Sequence, residues 1–148
     1  MADPMKVLFR LVADEDGYPP VAVESLWAIP SKTQGQCVLS NIPFFTTDAT
    51  LGDTIAVRYE ESAFWFDQVV TPSRNSLIRV IFHDHQCIGS VIKRLEELGC
   101  DVELAENYSL LAVSIPPRAK LAAIQTYLEE KENECMIGYE EPILWDSE

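Results

Sequence analysis

The chain changes its hydrophobic period once, near residue 73, and that change limits the folds open to it. Before it, apolar residues come in short runs, each closed by a turn signal. Met5–Val12 is rich in β-formers. Val21–Ile29 alternates, with Val21, Val23, Ser25 and Trp27 on one face and Glu24 on the other. Gln36–Ile42, Asp53–Glu60 and Ala63–Thr71 add three further strands, punctuated by Pro43–Phe44–Phe45 and Leu51–Gly52–Asp53. Asp14–Gly17, leading into Tyr18–Pro19–Pro20, and Ser31–Gly35 are polar turns. Five short strands at this spacing predict a small antiparallel β-barrel or a strongly bent sheet.

Beyond Pro72–Ser76 the pattern alternates between strand and helix. Leu77–His83 is a strand; Ile88, Val91, Ile92, Leu95 and Leu98 then recur at helical spacing, and Gly99 is the stop. Cys100–Ala105 is a strand, Asn107–Tyr108 a hairpin tip, and Leu110–Ile115 a central strand ended by Pro116–Pro117. Leu121, Ile124 and Leu128 mark one face of a second helix over about residues 118–131, and Met136–Glu141 forms a last strand. The order β-α-β-β-α-β is the split, ferredoxin-like one. The expected class is therefore α+β, with an antiparallel β subdomain over residues 1–73 and a ferredoxin-like α+β subdomain over 74–148.

With 148 residues, 47% of them hydrophobic, the chain can bury a core without metal or disulfide staples. No run approaches the roughly 20 apolar residues of a membrane span. Met1–Lys6 has no basic-then-apolar leader, so a soluble cytoplasmic protein is expected. Cys37, Cys87, Cys100 and Cys135 are scattered, with no Cys-x-x-Cys, and are expected as buried, reduced thiols. The net charge of −13 repels phosphate backbones and anionic bilayers, so neither nucleic acid nor membrane is an expected partner. The charge is uneven: residues up to Leu95 hold 8 basic and 11 acidic side chains, whereas those from Glu96 onward hold 3 and 13.

Few residues suggest chemistry. Dinucleotide, Walker, nucleophile-elbow and zincin signatures are missing from the sequence, and its six glycines do not cluster into a phosphate cradle. His83–Asp84–His85 with Cys87 is the one arrangement with metal-ligand residue types, but a strand-to-helix junction attracts polar residues and Asp84 can cap the helix start. A Cys87/His85 nucleophile pair lacks an identifiable oxyanion donor. No metal, cofactor or catalytic residue is expected. Phe64–Trp65–Phe66 is read mainly as core, with Trp65 a candidate partner contact; Phe44 and Phe45 are read as a barrel plug. Trp145, near the tail, is a second candidate anchor. Glu129, Glu130, Glu132 and Glu134 crowd the end of the second helix, where each carboxylate opposes the dipole at about 0.3–1 kcal/mol. Glu103, Glu106, Glu140 and Glu141 add to them, a grouping that helix stability does not explain but attraction of a basic partner does.

Several segments carry a family resemblance: Val7-Leu8-Phe9-Arg10, Glu24-Ser25-Leu26-Trp27-Ala28, Asn41-Ile42-Pro43-Phe44-Phe45, Leu51-Gly52-Asp53, Arg79-Val80-Ile81-Phe82, Leu98-Gly99-Cys100 and Ala112-Val113-Ser114-Ile115-Pro116. Together they resemble a bacterial family catalogued as domain of unknown function 4265, over nearly the whole chain. The resemblance implies a small cytoplasmic protein with no catalytic residues to carry over, and some such proteins look like immunity proteins encoded beside secreted toxins.

The expectation is a non-enzymatic immunity protein whose acidic C-terminal surface occludes the active site of a cognate, basic toxin domain. Its partner-binding residues would be Glu103, Glu106, Glu129, Glu130, Glu132, Glu134, Glu140 and Glu141, with Trp65 and Trp145. The alternative is a ligand-sensing regulatory domain acting as a homodimer.

Overall fold

Five strands joined by four antiparallel connections leave the first and the last running the same way, so a barrel made from them closes on a parallel seam. The computed structural model describes residues 3–145, and its first unit, Met1–Ser73, is built on this parity. β1 (Met5–Arg10), β2 (Val23–Pro30), β3 (Gln36–Leu39), β4 (Thr54–Glu60) and β5 (Ala63–Thr71) pair in sequence order into a closed barrel. The seam joins β1 to β5 in parallel at Val7↔Phe64 and Leu8↔Trp65. Its interior holds Val7, Phe9, Leu26, Ala28, Cys37, Leu39 and Ile55, with Phe66 stacked on Phe9 at 4.7 Å between ring centroids.

Of two irregularities in β5, the first, at Asp67, explains how Phe66 and Val69, three apart, both pack on this interior. Val57 faces Phe66 and Ala56 faces Gln68, so Asp67 is an extra residue; Ile55 faces Val69 and Thr54 faces Thr71, so Val70 is a second. Each bulge resets the alternation of faces. The β4–β5 hairpin turns on Glu61 and Ser62 alone, both at positive φ (52° and 65°), as a type I′ turn demands.

Of the two faces of β2, the one carrying Glu24, Leu26 and Ala28 is buried, while Val23, Trp27 and Ile29 are exposed. An acidic residue can occupy the inner face because its charge is fully engaged. Glu24, 8% exposed, accepts the amide of Phe44 on Oε2 at 2.6 Å and those of Phe45 and Thr46 on Oε1 at 3.1 and 2.8 Å. The Oδ1 of Asn41 accepts the Trp27 amide at 2.7 Å, and the Trp27 carbonyl accepts the Ser40 amide at 2.9 Å. Asp53 works likewise: Oδ2 accepts the Thr50 amide at 3.0 Å and Oδ1 that of Ser73 at 2.8 Å. Hydrogen bonds to a charged acceptor are each worth about 1.5–3 kcal/mol, enough to hold a loop that has few ladder bonds of its own.

The second unit, Arg74–Glu148, contains β6 (Ser76–Phe82), α1 (Ile88–Glu97), β7 (Asp101–Ala105), β8 (Leu110–Ile115), α2 (Leu121–Asn133) and β9 (Ile137–Ile143). The strands form one antiparallel sheet in the order β7-β8-β6-β9. Ile78, Val80 and Phe82 of β6 and Leu111, Val113 and Ile115 of β8 share a core with Val91 and Leu95 of α1 and Ile124 and Leu128 of α2. The helix α2 begins three residues later than its sequence pattern suggested, because Pro116–Ala119 turns (Ala119 N–H to Pro116 O, 3.0 Å) and Lys120 is still extended.

Both helices end in the same six-residue closure. In α1 the Gly99 amide donates to Glu96 O at 3.0 Å and the Cys100 amide to Leu95 O at 3.0 Å. In α2 the Cys135 amide donates to Glu132 O at 2.9 Å and the Met136 amide to Lys131 O at 3.1 Å. The pivot in α1 is Gly99 (φ 95°); in α2 it is Cys135 (φ 61°), a backbone state that glycine tolerates far better. Cys135 is accordingly exposed, which corrects the reading of all four thiols as buried; Cys37, Cys87 and Cys100 are buried.

Candidate partner-binding surface

The core-facing residues of α2, Leu121, Ile124 and Leu128, fix which side of the helix flanks β9. Gln125, Glu129 and Glu132, at i, i+4 and i+7, fall on one neighbouring stripe. The Nε2 of Gln125 donates to Glu141 Oε2 on β9 at 2.6 Å. The Tyr139 phenol lies among these groups. Burial, and then the nearby carboxylates of Glu141, Glu132 and Glu129, push it above the usual phenol range. Three of the residues chosen from sequence, Glu129, Glu132 and Glu141, are thus gathered around one half-buried tyrosine. Lys131 does not offset them: its ammonium lies 5.7 Å from the Tyr127 ring centroid and 3.4 Å from Glu134.

The other chosen residues divide. Glu130 and Glu106 are exposed, the latter in the single 3-10 turn after β7. Glu134 is the carboxylate that pairs with Lys131. Glu140 has an internal task, and Glu103 lies along the same cross-strand row. On the sheet face away from the helices, Arg79 of β6 is opposite Glu140 on one side and Ala112 on the other, and Ala112 is opposite Glu103. Arg79 is 2% exposed with Glu140 at 3.7 Å, and a cation so buried needs countercharge. These two glutamates therefore sit in register with a buried cation.

Neither tryptophan is a bare anchor. Trp65 is 8% exposed; its indole N–H donates to Glu60 O at 3.2 Å, and the Arg10 guanidinium lies 4.0 Å from its ring. Trp145 is half-buried, with its amide on Ser76 Oγ at 2.9 Å and the Arg74 guanidinium 4.8 Å from its ring. The tryptophan left most open is Trp27, 44% exposed beneath Lys6 at 4.9 Å. Sequence reasoning missed it, although the need to shelter a charged Glu24 on the opposite face was the signal available. Arg79 was missed too, and its signal was a lone cation within an apolar run.

The residues with ligand or nucleophile chemistry have structural partners. Asp84 Oδ1 accepts the Gln86 amide at 2.9 Å, capping the short turn before α1. His85 Nε2 is 2.9 Å from Ser109 Oγ. Cys87 is buried with Sγ 3.0 Å from Asp84 O, and burial, with Asp84 nearby, raises its thiol above the usual range. Among the described residues no group of three or more His, Cys, Asp or Glu could hold a metal ion, and no helix is long and apolar enough to cross a membrane.

Comparison with known proteins places this geometry in context. No curated protein matches the chain. Among solved structures, the chain is similar to a crystal structure of a hypothetical protein from Neisseria gonorrhoeae, with 22% identity over 99% of this chain and 98% of that one and a TM-score of 0.79. At that identity the likeness speaks for the fold. The family described as "Domain of unknown function (DUF4265)" matches residues 24–139, a span that opens on the buried Glu24, includes the loop it clasps, Asp53 and Arg79, and closes on Tyr139. On that match, which covers well over half of the sequence, the chain belongs to the family Domain of unknown function (DUF4265).

Proposed function

We propose that this protein is a non-catalytic immunity protein, cytoplasmic, that binds a basic toxin domain and occludes its active site through the acidic side of its second unit. The observation that carries the reading is the gathering of Glu129, Glu132 and Glu141 around Tyr139, beside a lysine already engaged elsewhere. Carboxylates so placed raise the encounter rate with a cationic surface, while a half-buried aromatic supplies the desolvated contact that slows release. We also assign the second unit to the ferredoxin-like class: its β-α-β-β-α-β order and its strand sequence β7-β8-β6-β9 support it. The alternative of a ligand-sensing homodimer pairing its sheets is less well supported.

The test is co-expression with the toxin encoded by the neighbouring reading frame. The native chain should restore plating by orders of magnitude, and Glu129→Lys with Glu132→Lys and Glu141→Lys should abolish that rescue at unchanged protein level. Glu140 is left intact because it neutralises Arg79. No rescue by the native chain removes the immunity assignment; full rescue by the triple variant removes the acidic surface from it.

A further inference from the structure

We propose that the outer wall of the barrel over β1 and β2 is a docking surface for an amphipathic helix of another protein, one whose apolar stripe is flanked by Asp or Glu. It is a second interaction surface, independent of the acidic side of the second unit and opposite to it in charge.

Strand alternation fixes what this wall presents. Val7 and Phe9 of β1 and Glu24, Leu26 and Ala28 of β2 point inward, so the residues between them point out. On β2 these form one row, in which Val23, Trp27 and Ile29 are 40, 44 and 41% exposed. Alternate residues of a strand lie about 6.8 Å apart, so the row runs about 20 Å. Exposed apolar side chains scattered singly are ordinary, but a contiguous row of them marks a contact surface. On β1, Lys6 is opposite Trp27 and Arg10 opposite Val23; on the other flank Ile29 is opposite Val38 of β3. The outward positions of these three strands hold two cations and no carboxylate, on a chain of net charge −13. Glu24, the one acid in them, is turned inward and bonded to three amides. Farther round the wall, Glu60 and Asp67 are both held by Arg58.

The barrel limits the shape of the occupant. It closes on itself with every strand paired on both sides, so the wall offers no sheet edge to an added strand. A partner must bring a backbone that is already satisfied, and a helix laid on a sheet face does so. Its residues at i, i+4, i+7 and i+11 span about 17 Å, close to the length of the row. Charge sets its flank. Carboxylates along the β1 side meet Lys6 and Arg10 at contact, while repulsion from the rest of the chain is screened beyond about 8 Å at physiological salt. A second copy seated wall to wall would set Lys6 and Arg10 against their own counterparts and gain no such pairing. Trp27, with the Lys6 ammonium 4.9 Å from its ring centroid, is the anchor of the contact.

The probe is a synthetic helical peptide of about four turns, with Leu at i, i+4, i+7 and i+11 and Glu on both flanks. It is titrated into the full-length isotope-labelled protein at physiological salt. Bound peptide should gain helicity, shift the amides of β1 and β2 together with the Trp27 indole N–H, and leave the second unit unmoved. A peptide with Lys in place of Glu, or with Pro at its centre, should bind at least tenfold more weakly. Lys6→Glu with Arg10→Glu should reverse the preference between the Glu and Lys peptides. Lys6→Glu alone, which leaves Arg10 on the Trp65 ring, should narrow that preference several-fold at an unchanged melting temperature. Trp27→Ala should weaken the Glu peptide at least tenfold. Equal binding of the Glu and Lys peptides, indifference to the central Pro, shifts confined to the second unit, or none at millimolar peptide overturns the docking wall. So does dimerisation of the peptide-free protein that Trp27→Ala abolishes, since a second copy would then be the occupant.

Discussion

Replacing Glu24 with Gln exchanges one carboxylate oxygen for NH2 and tests whether a buried carboxylate holds the barrel loop. The native Oε1 takes two amides, from Phe45 and Thr46, and Oε2 takes one, from Phe44. The Gln oxygen can serve the pair, but its NH2 then confronts the Phe44 N–H, donor against donor. One charge-assisted bond worth about 1.5–3 kcal/mol is lost, and a partly buried N–H without an acceptor costs about 1 kcal/mol or more. The two surviving bonds weaken to the neutral range, while burying a neutral amide rather than an anion returns part of the loss. We expect Glu24→Gln to destabilise the first unit by about 2–4 kcal/mol, and Glu24→Ala by more. Urea unfolding followed by tryptophan fluorescence suits this, since Trp27 and Trp65 lie in the first unit and only Trp145 in the second. Amide exchange at Phe44, Phe45 and Thr46 adds the local readout. A loss below about 0.5 kcal/mol, or exchange at these three amides no faster than at Val7 and Leu26, would refute the idea that the carboxylate organises the loop.

The closure of α2 gives a second expectation: Cys135→Gly should raise stability by up to about 1 kcal/mol in thermal melts, and Gly99→Ala should lower it by a similar amount. In the β4–β5 turn, Glu61→Asn with Ser62→Gly relieves two positive-φ residues and should raise the melting temperature by several degrees. A thiol reagent at pH 8 should modify Cys135 within the native protein well before the three buried cysteines. Burial, and then Asp101, push the Cys100 thiol up to about 12. The unfolded thiol ionises near 9 while the folded one stays protonated, so this contribution is intact below pH 9. It declines by about 1.4 kcal/mol per pH unit as pH rises from 9 toward 12. Cys100→Ala should flatten that part of the stability–pH curve, and an unchanged slope would show that the thiol is not held neutral.

The element order was legible because it depends on hydrophobic period, and the period changes where the chain passes from barrel to sheet and helix. Gly99 and the Pro116–Pro117 pair read correctly because each constrains its own backbone. The limits of Gln36–Ile42 did not: only Gln36–Leu39 is strand, since Asn41 is engaged by the Trp27 amide rather than by a ladder. The choice of inner face in β2 could not be read, because Glu24 is tolerated inside only by virtue of amides some twenty residues ahead. The acidic surface was half legible for the same reason. Composition locates the carboxylates, but whether one faces solvent or a buried guanidinium depends on register. Glu129, Glu132 and Glu141 converge, and Glu140 is drawn to Arg79, through pairings between segments far apart in sequence.

The odd strand count has a consequence for anyone rewiring this molecule. Hairpin turns cannot join the two strands of the seam, because Met5 begins β1 at one mouth of the barrel and Thr71 ends β5 at the other. A circular permutant of this unit would need a return linker long enough to travel the full height of the wall. That is about 30 Å for a nine-residue strand, so roughly nine extended residues would have to run outside the staves before a new beginning could be cut elsewhere.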